Sequence, residues 1–298
     1  MASDVRVACL VPAATDLAAE LGLRIVGVSH ECDHPAAAGL PVLTGSRVRA
    51  AGRDGARAAE VDREVSAAAA TGEPLYVVDR ERLAAVRPDV VLSQAICDVC
   101  AARADACELP AGALLVELAA TSVAGLFADV RAVAAACGVQ ERGEACVAAI
   151  VAAHAGLVRG PRRRVLALEW GDPPFLGGHW VPELIEVAGG VHLLAGTGEK
   201  SRRASWDEVV AADPEVLVFM PCGYDLEMAV VEARGSLIKD GGPLDGMRCV
   251  RAGELWATAA TELFSRCTPR SVVAGAQVLA ALLRGEATPG LACRVERA

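Results

Sequence analysis

The sequence predicts an α/β protein of two lobes, each built on a parallel sheet. A long connecting helix joins them, and a ligand cleft lies between them. Three observations predict it. Short apolar runs alternate with helical patterns along the 298-residue chain, the pattern of βαβ units and parallel sheets. The series restarts after residue 160. Two stretches, "RPDVVLSQAICDVC" (87–100) and "DPEVLVFMPCGYD" (213–225), share one plan: a charged residue, proline, a β run and a cysteine-bearing loop. The expected organisation is a first lobe over 1–120, connecting helices over 121–160 and a second lobe over 161–298.

The elements follow in order. Val5–Val11 is an apolar strand ended by Pro12. Thr15 is placed to cap a helix that runs to about Leu21 and stops at Gly22. Arg24–Ser29 is a second strand and His30–Pro35 a loop. Residues 36–74 are irregular and charged, with a helix over 60–70. Strands at Leu75–Val78, Val90–Ser93 and Leu114–Leu118 enclose a helix at Arg80–Val86. Thr121–Cys137 and Glu141–Val158 are helices. The second of these spans on the order of 27 Å, enough to cross between lobes. In the second half, Val165–Glu169, Val216–Met220 and Leu255–Thr258 are strands. Trp180–Ala188, Trp206–Ala211 and Thr268–Leu283 are helices, the last with Pro269 in its first turn. Residues 235–248 are Gly-rich and loop-like. The tail after Arg284 carries Gly and Pro and is expected to fray.

Composition excludes several classes. Net charge is -9 at pH 7, which argues against nucleic acid and anionic membranes as partners. No uninterrupted apolar run reaches membrane-spanning length. The opening "MASDVRVACLVP" lacks a basic segment followed by an apolar core and a cleavage site. Eleven cysteines, an odd number, fit a reducing compartment better than a disulfide framework. A cytoplasmic location is therefore expected.

Four stretches end buried strands and are expected to face the cleft: "SHECDHP" (29–35), "QAICDVC" (94–100), "LEWGDPPFLGGHWVPE" (168–183) and "PCGYD" (221–225). Cys97-x-x-Cys100 has the spacing that chelates a soft metal or an iron–sulfur cluster. Cys32 and Cys222 sit on two other loops and complete a candidate set of four. A redox pair at Cys97–Cys100 and plain packing are the alternatives. Cys9, Cys107, Cys137, Cys146, Cys249, Cys267 and Cys293 read mostly as small apolar residues.

The densest stretch is "EWGDPPFLGGHW". The chain has four Trp, two Tyr and four Phe, and Trp170, Phe175 and Trp180 cluster there. Pro173-Pro174 and Gly177-Gly178 predict a shaped loop rather than a continuing strand. Aromatics on such a loop suit a flat, partly apolar ligand; plugging a domain interface is the alternative. His179, Glu169, Glu183 and Tyr224 are candidate polar contacts, and His30 is the candidate histidine of the first lobe. No Gly-x-Ser-x-Gly elbow, phosphate loop or His-Glu-x-x-His is present. "GTGEKS" (196–201) reads as a flexible loop.

"CLVPAATDLAAELGLRIVGVSHECDHP", "RPDVVLSQ" and "DPEVLVF", with the long helix after residue 140, resemble the vitamin B12-type (class III, helical-backbone) periplasmic substrate-binding proteins. The signatures "SHECD", "CDVC", "EW-x-DPPF-x-x-GHW-x-PE" and "PCG" resemble a leaderless, cysteine-rich branch labelled cobalamin-binding. The resemblance implies two lobes, little hinge motion and a ligand between them. It also implies Phe264 and Arg266 near the ligand, although Cys267-Thr268 replaces the Pro- or Gly-rich turn expected there. The expected function is binding of a small-molecule or metal ligand: a corrinoid such as cobalamin, a metal chelate or a metal ion. An ABC-transporter partner enters through the resemblance alone. The alternative is a zinc- or iron–sulfur-dependent enzyme or cofactor-handling protein using Cys32, Cys97, Cys100 and Cys222.

Overall fold

The structure is a computed structural model that describes residues 4–47, 63, 67, 76–94 and 109–296. The chain divides into two compact units: Met1–Ala120 with Ala124–Ala149, and Thr121–Val123 with Ile150–Ala298. Both are α/β, as the alternating pattern predicts.

The first unit begins with strand β1 (Arg6–Cys9), helix α1 (Pro12–Glu20) and strand β2 (Arg24–Gly27). Val7, Ala8 and Cys9 are fully buried, so β1 is a central strand. Later come β3 (Thr44–Ser46), β4 (Tyr76–Val78), α2 (Arg80–Ala85), β5 (Val90–Gln94) and β6 (Leu114–Leu118). The main sheet runs β2-β1-β5-β6, and every pair in it is parallel. Strands β3 and β4 form a separate antiparallel pair; Thr44–Ser46 is too short for its alternation to show in the sequence. The helix expected over 60–70 lies outside the described residues except for Arg63 and Ala67, both helical.

Thr15 does not cap α1. The helix starts three residues earlier, with Pro12 in its first turn and Val11 as N-cap without a side-chain bond. Proline's fixed φ suits that position. Thr15 is instead inside the helix and completely buried.

Two helices follow, α3 (Val123–Ala136) and α4 (Gln140–Ala155). The boundary between the units falls inside α4, between Ala149 and Ile150.

The second unit holds β7 (Arg164–Gly171), β8 (Pro174–Leu176), α5 (Val181–Val187), β9 (Val191–His192), β10 (Arg202–Arg203) and α6 (Trp206–Ala211). It continues with β11 (Val216–Phe219), α7 (Leu226–Glu232), α8 (Arg248–Arg251), β12 (Leu255–Thr258), α9 (Ala260–Leu263), α10 (Pro269–Leu283) and β13 (Ala292–Arg294). Its seven-stranded sheet runs β10-β8-β7-β11-β12-β13, with β9 also on β7. The β7-β11-β12 centre is parallel. Val216, Leu217, Val218 and Phe219 are all fully buried, as a central parallel strand requires. Thr268 caps α10 through a reciprocal box with Ser271.

Two expectations are corrected here. The "EWGDPPF" stretch is a β-hairpin: β7 continues to Gly171, the chain turns at Asp172-Pro173, and β8 returns antiparallel with Phe175 opposite Trp170. A facing aromatic pair stabilises such a ladder. The tail does not fray after Arg284. It returns as β13 on β12, and Arg294 lies over the Trp256 ring at 5.0 Å.

Candidate functional site

In the first unit a polar cluster gathers beyond the end of β2. The main-chain N–H of His30 donates to Thr44 Oγ1 at 3.0 Å, and His30 Nδ1 lies 2.7 Å from the same oxygen. Thr44 spends its only proton on Ser29 Oγ, at 3.2 Å. Thr44 Oγ1 thus faces both the main-chain N–H and the Nδ1 of His30. The His30 Nε2 is buried and has no hydrogen-bond partner. The Glu31 carboxylate is 4.0 Å from it. Tyr76 stands beside the His30 ring at 5.5 Å and donates its hydroxyl to Glu31 at 3.0 Å. An imidazole nitrogen that carries no proton is a common metal ligand. Cys32 is turned inward, its Sγ 2.8 Å from Thr15 Oγ1.

In the second unit the carboxyl ends of β7 and β11 bring four predicted residues together. The Cys222 N–H donates to the Glu169 carbonyl at 3.2 Å. Trp170 and Tyr224 meet edge to face, ring centres 5.6 Å apart. Trp170 Nε1 is buried without an acceptor. Burial, with the Glu232 charge, pushes the Tyr224 phenol up from its ordinary range. The loop around α9 fastens this group: Gly223 N–H donates to Ser265 Oγ at 3.3 Å, and Thr261 donates its main-chain N–H to the Tyr224 carbonyl. Cys222 itself is exposed.

The remaining predicted residues fall elsewhere in that unit. Phe175 is half-buried on β8, with the Arg203 guanidinium 5.7 Å from its ring centre. His179 has a left-handed backbone, φ 53°. Its N–H donates to the Glu199 carbonyl at 2.6 Å, its carbonyl accepts from Gly198, and its Nδ1 is 3.2 Å from Ser201 Oγ. Burial, then the nearby Lys200 charge, pulls the His179 imidazole below its ordinary value. Trp180 is buried, and its Nε1 also lacks an acceptor. Glu183 acts as a helix cap: its Oε2 accepts the Val123 N–H at 2.8 Å, at the start of α3. Phe264 is buried, close enough to Gly275 that a Cβ there would sit 3.0 Å from its ring. Arg266 is half-buried, and its carbonyl accepts from Ser271 Oγ at 2.6 Å.

Sequence reasoning missed Thr44, Tyr76, Ser201 and Ser265. It also took 196–201 for a flexible loop, whereas that segment is bonded to His179. One signal was available. Gly178 allows the close approach: a Cβ there would fall 2.4 Å from Ser201 N. A conspicuous Gly-Gly pair marks such backbone proximity.

Of the four cysteines grouped by sequence, Cys97 and Cys100 lie outside the described residues, as does Cys107. Cys32 belongs to the first unit and Cys222 to the second. Among the described residues no group of three or more His, Cys, Asp or Glu side chains forms a metal site. No helix among them is long and apolar enough to cross a membrane.

The strand-end clusters stand on two α/β units, each with a parallel-centred sheet. A family model described as periplasmic binding protein matches residues 7–236, and the chain belongs to that family. No curated protein matches the sequence. Three solved structures share the fold. An ABC transporter substrate-binding protein from Listeria monocytogenes EGD-e is 13% identical, TM-score 0.65, over 92% of this chain and 98% of its own. The periplasmic vitamin B12 binding protein BtuF of Vibrio cholerae is 16% identical, TM-score 0.59, over 94% and 98%. A periplasmic heme binding protein from Pseudomonas aeruginosa is 19% identical, TM-score 0.64, over 98% and 99%.

Proposed function

We propose that this chain is a substrate-binding protein for a flat, metal-centred macrocycle, a corrinoid or a haem. The Trp170–Tyr224 pair carries the reading. It offers an aromatic edge-and-face surface and an indole N–H buried without an acceptor. A buried unpaired donor costs roughly 1–3 kcal/mol unless a ligand satisfies it. A macrocycle with polar or carboxylate side groups supplies both a π-face and an acceptor. On the first unit, considered by itself, the His30 Nε2 is buried without a hydrogen-bond partner, which suits a metal-bearing ligand. The names of the Vibrio and Pseudomonas structures lend support to that class. An ABC-transporter partner belongs to the same proposal, supported by the name of the Listeria structure. The cysteine count supports a reducing compartment, which cell fractionation tests.

The test is titration of the purified chain with cobalamin, haemin and a ferric siderophore. Tryptophan quenching and a shifted visible spectrum with cobalamin or haemin are expected, and a response to the siderophore alone would overturn the macrocycle reading. Unchanged emission and spectra at micromolar concentrations of all three would sink the reading.

A second reading rests on Cys222, exposed beside Glu169 and Trp170. In it, the Cys222 thiol contributes to a zinc or iron–sulfur site. Metal and sulfide analysis of anaerobically purified protein decides it: stoichiometric metal lost in Cys222→Ser supports it, and metal-free folded protein removes it.

A further inference from the structure

The sheet of the second unit carries a stripe of side chains that runs across its strands. Leu168 of β7 pairs with Leu176 of β8, and both are completely buried. The register then slips at Glu169, so that Trp170, and not Glu169, stands opposite Phe175. One extra residue in a ladder turns the side chains that follow it to the other face. Trp170 and Phe175 therefore share the face opposite the Leu168–Leu176 core pair. The next strand continues the pattern. Arg202 of β10 pairs with Leu176, and Arg203 pairs with Phe175. Neighbouring side chains of a strand point to opposite faces, so the two arginines part. Arg202 is bound within the protein: its guanidinium donates to both carboxylate oxygens of Glu208, at 2.5 and 3.2 Å, and to the Leu194 carbonyl. Arg203 is exposed and lies over the Phe175 ring, 5.7 Å from its centre. With Tyr224 against Trp170 on the far side, the stripe reads guanidinium, phenyl, indole, phenol.

We propose that Arg203 selects the ligand: the site takes a planar macrocycle that bears carboxylates, in preference to a corrinoid whose side groups end in amides. This selectivity rests on the macrocycle reading and narrows it. Phe175 extends the aromatic surface of Trp170 and Tyr224 by one strand, and Arg203 closes it with a fixed positive charge. A guanidinium is planar, always charged and stacks on aromatic rings, and its N–H donors form a fork that fits a carboxylate. Five such donors serve a ligand carboxylate alongside other acceptors. A ring lying along the stripe would turn its π-face to Phe175 and Trp170 and its acidic edge to Arg203. An amide edge gains no charge-assisted bond of that kind. The charge also acts at longer range. The chain carries a net charge of -9, which repels an anion, so an acidic ligand needs a local cation to hold it.

The probes are haemin and the derivative in which both of its carboxylates are converted to amides. Each is titrated into the purified full-length chain, with tryptophan emission and the visible spectrum as readouts. Both carry the same ring and the same metal, so the ratio of their affinities reads the carboxylates alone. The wild type is expected to bind haemin about tenfold tighter than the bis-amide, or more. Arg203→Gln should bring that ratio close to one. Arg203→Lys keeps the charge and loses the fork, so it should leave a ratio in between. Circular dichroism checks that the variants fold; the wild-type ratio keeps the test open if one does not. A wild-type ratio near one, or a ratio that Arg203→Gln leaves unchanged, overturns the proposal, while binding of both probes still upholds the macrocycle reading. Binding of neither probe sinks the macrocycle reading itself, and the selectivity falls with it.

Discussion

Asp89 Oδ2 accepts the main-chain N–H of Arg6 at 2.8 Å. Arg6 answers with its guanidinium, donating to the carbonyls of Arg87 at 3.0 Å and Val86 at 2.6 Å. The second unit repeats the device. Glu215 Oε2 accepts the Arg164 N–H at 2.9 Å, and Arg164 donates to the Asp213 carbonyl at 2.6 Å. In both, the residue before the proline takes a left-handed backbone, φ 43° at Arg87 and 42° at Asp213. The residue before a proline is barred from the ordinary helical region. The arginine holds the carbonyl of that residue, and the acid after the proline holds the arginine's own strand.

Removing the acid should therefore loosen the sheet. Asp89→Ala and Glu215→Ala are each expected to cost about 1–2 kcal/mol. Urea unfolding checks this through a lower midpoint at constant slope. Arg6→Lys should lose nearly as much, because a single ammonium nitrogen does not reproduce the fixed spacing of the two guanidinium nitrogens that reach the two carbonyls. Unchanged midpoints in all three would show that solvent replaces these bonds at no cost.

Trp170→Ala should weaken binding of the macrocycle at least tenfold, and it should also lower the unfolding midpoint because the Phe175 and Tyr224 contacts go with the ring. Trp170→Phe separates the two contributions of the indole. It keeps an aromatic face and removes the N–H, so it should recover part of the loss. Equal affinity in wild type and Trp170→Ala would take Trp170 out of the site.

Gly178→Ala should destabilise the second unit by about 1–3 kcal/mol, the usual cost of overpacking. Backbone atoms of Glu199 and Lys200 also lie within 2.7 Å of the added Cβ, and they cannot rotate away. Gly223→Ala is the contrast. It meets nothing within 4 Å, so its cost arises from its φ of +81° alone. Hydrogen exchange should open around 196–201 in the first variant and not in the second.

Acid should weaken the second unit. Burial holds His179 below its ordinary 6.5, with Lys200 adding to it. Burial does the same to His192, opposed by its bond to the Ala195 carbonyl. Both groups are neutral in both states well above pH 6.5. As the pH falls through 6.5, the unfolded chain takes up protons that the folded one refuses, and stability drops. The urea midpoint should be lower at pH 5.5 than at pH 7.5. The double variant His179→Gln/His192→Gln should flatten that difference; an unaltered slope would place the titration elsewhere.

Most of the fold was legible because buried parallel strands write themselves as apolar runs. Val216–Phe219 and Val90–Gln94 emerged that way, within a residue of their ends. Strands of two or three residues, such as Arg202–Arg203 and Val191–His192, were not legible. They are too short for a period and are held by their neighbours' hydrogen bonds. The Trp170–Tyr224 meeting joins residues 54 positions apart, so each ring could be suspected but not the pairing. Thr15 shows the opposite failure. Its residue type suits a cap, yet the preceding proline started the helix first and left the hydroxyl beside the Cys32 thiol.

The strand orders also bear on how the chain is made. Every strand of the first main sheet is drawn from residues 6–118, and every strand of the second from 164–294. Among the described residues, no strand is borrowed across that gap. Synthesis from the amino end thus delivers a finished set of four strands before any of the other seven has emerged from the ribosome. The second sheet waits longest for its edge: β13 must come back to β12 from beyond α10. A ribosome stalled within α10 would present the four described strands of the first sheet and a second sheet whose edge is still missing.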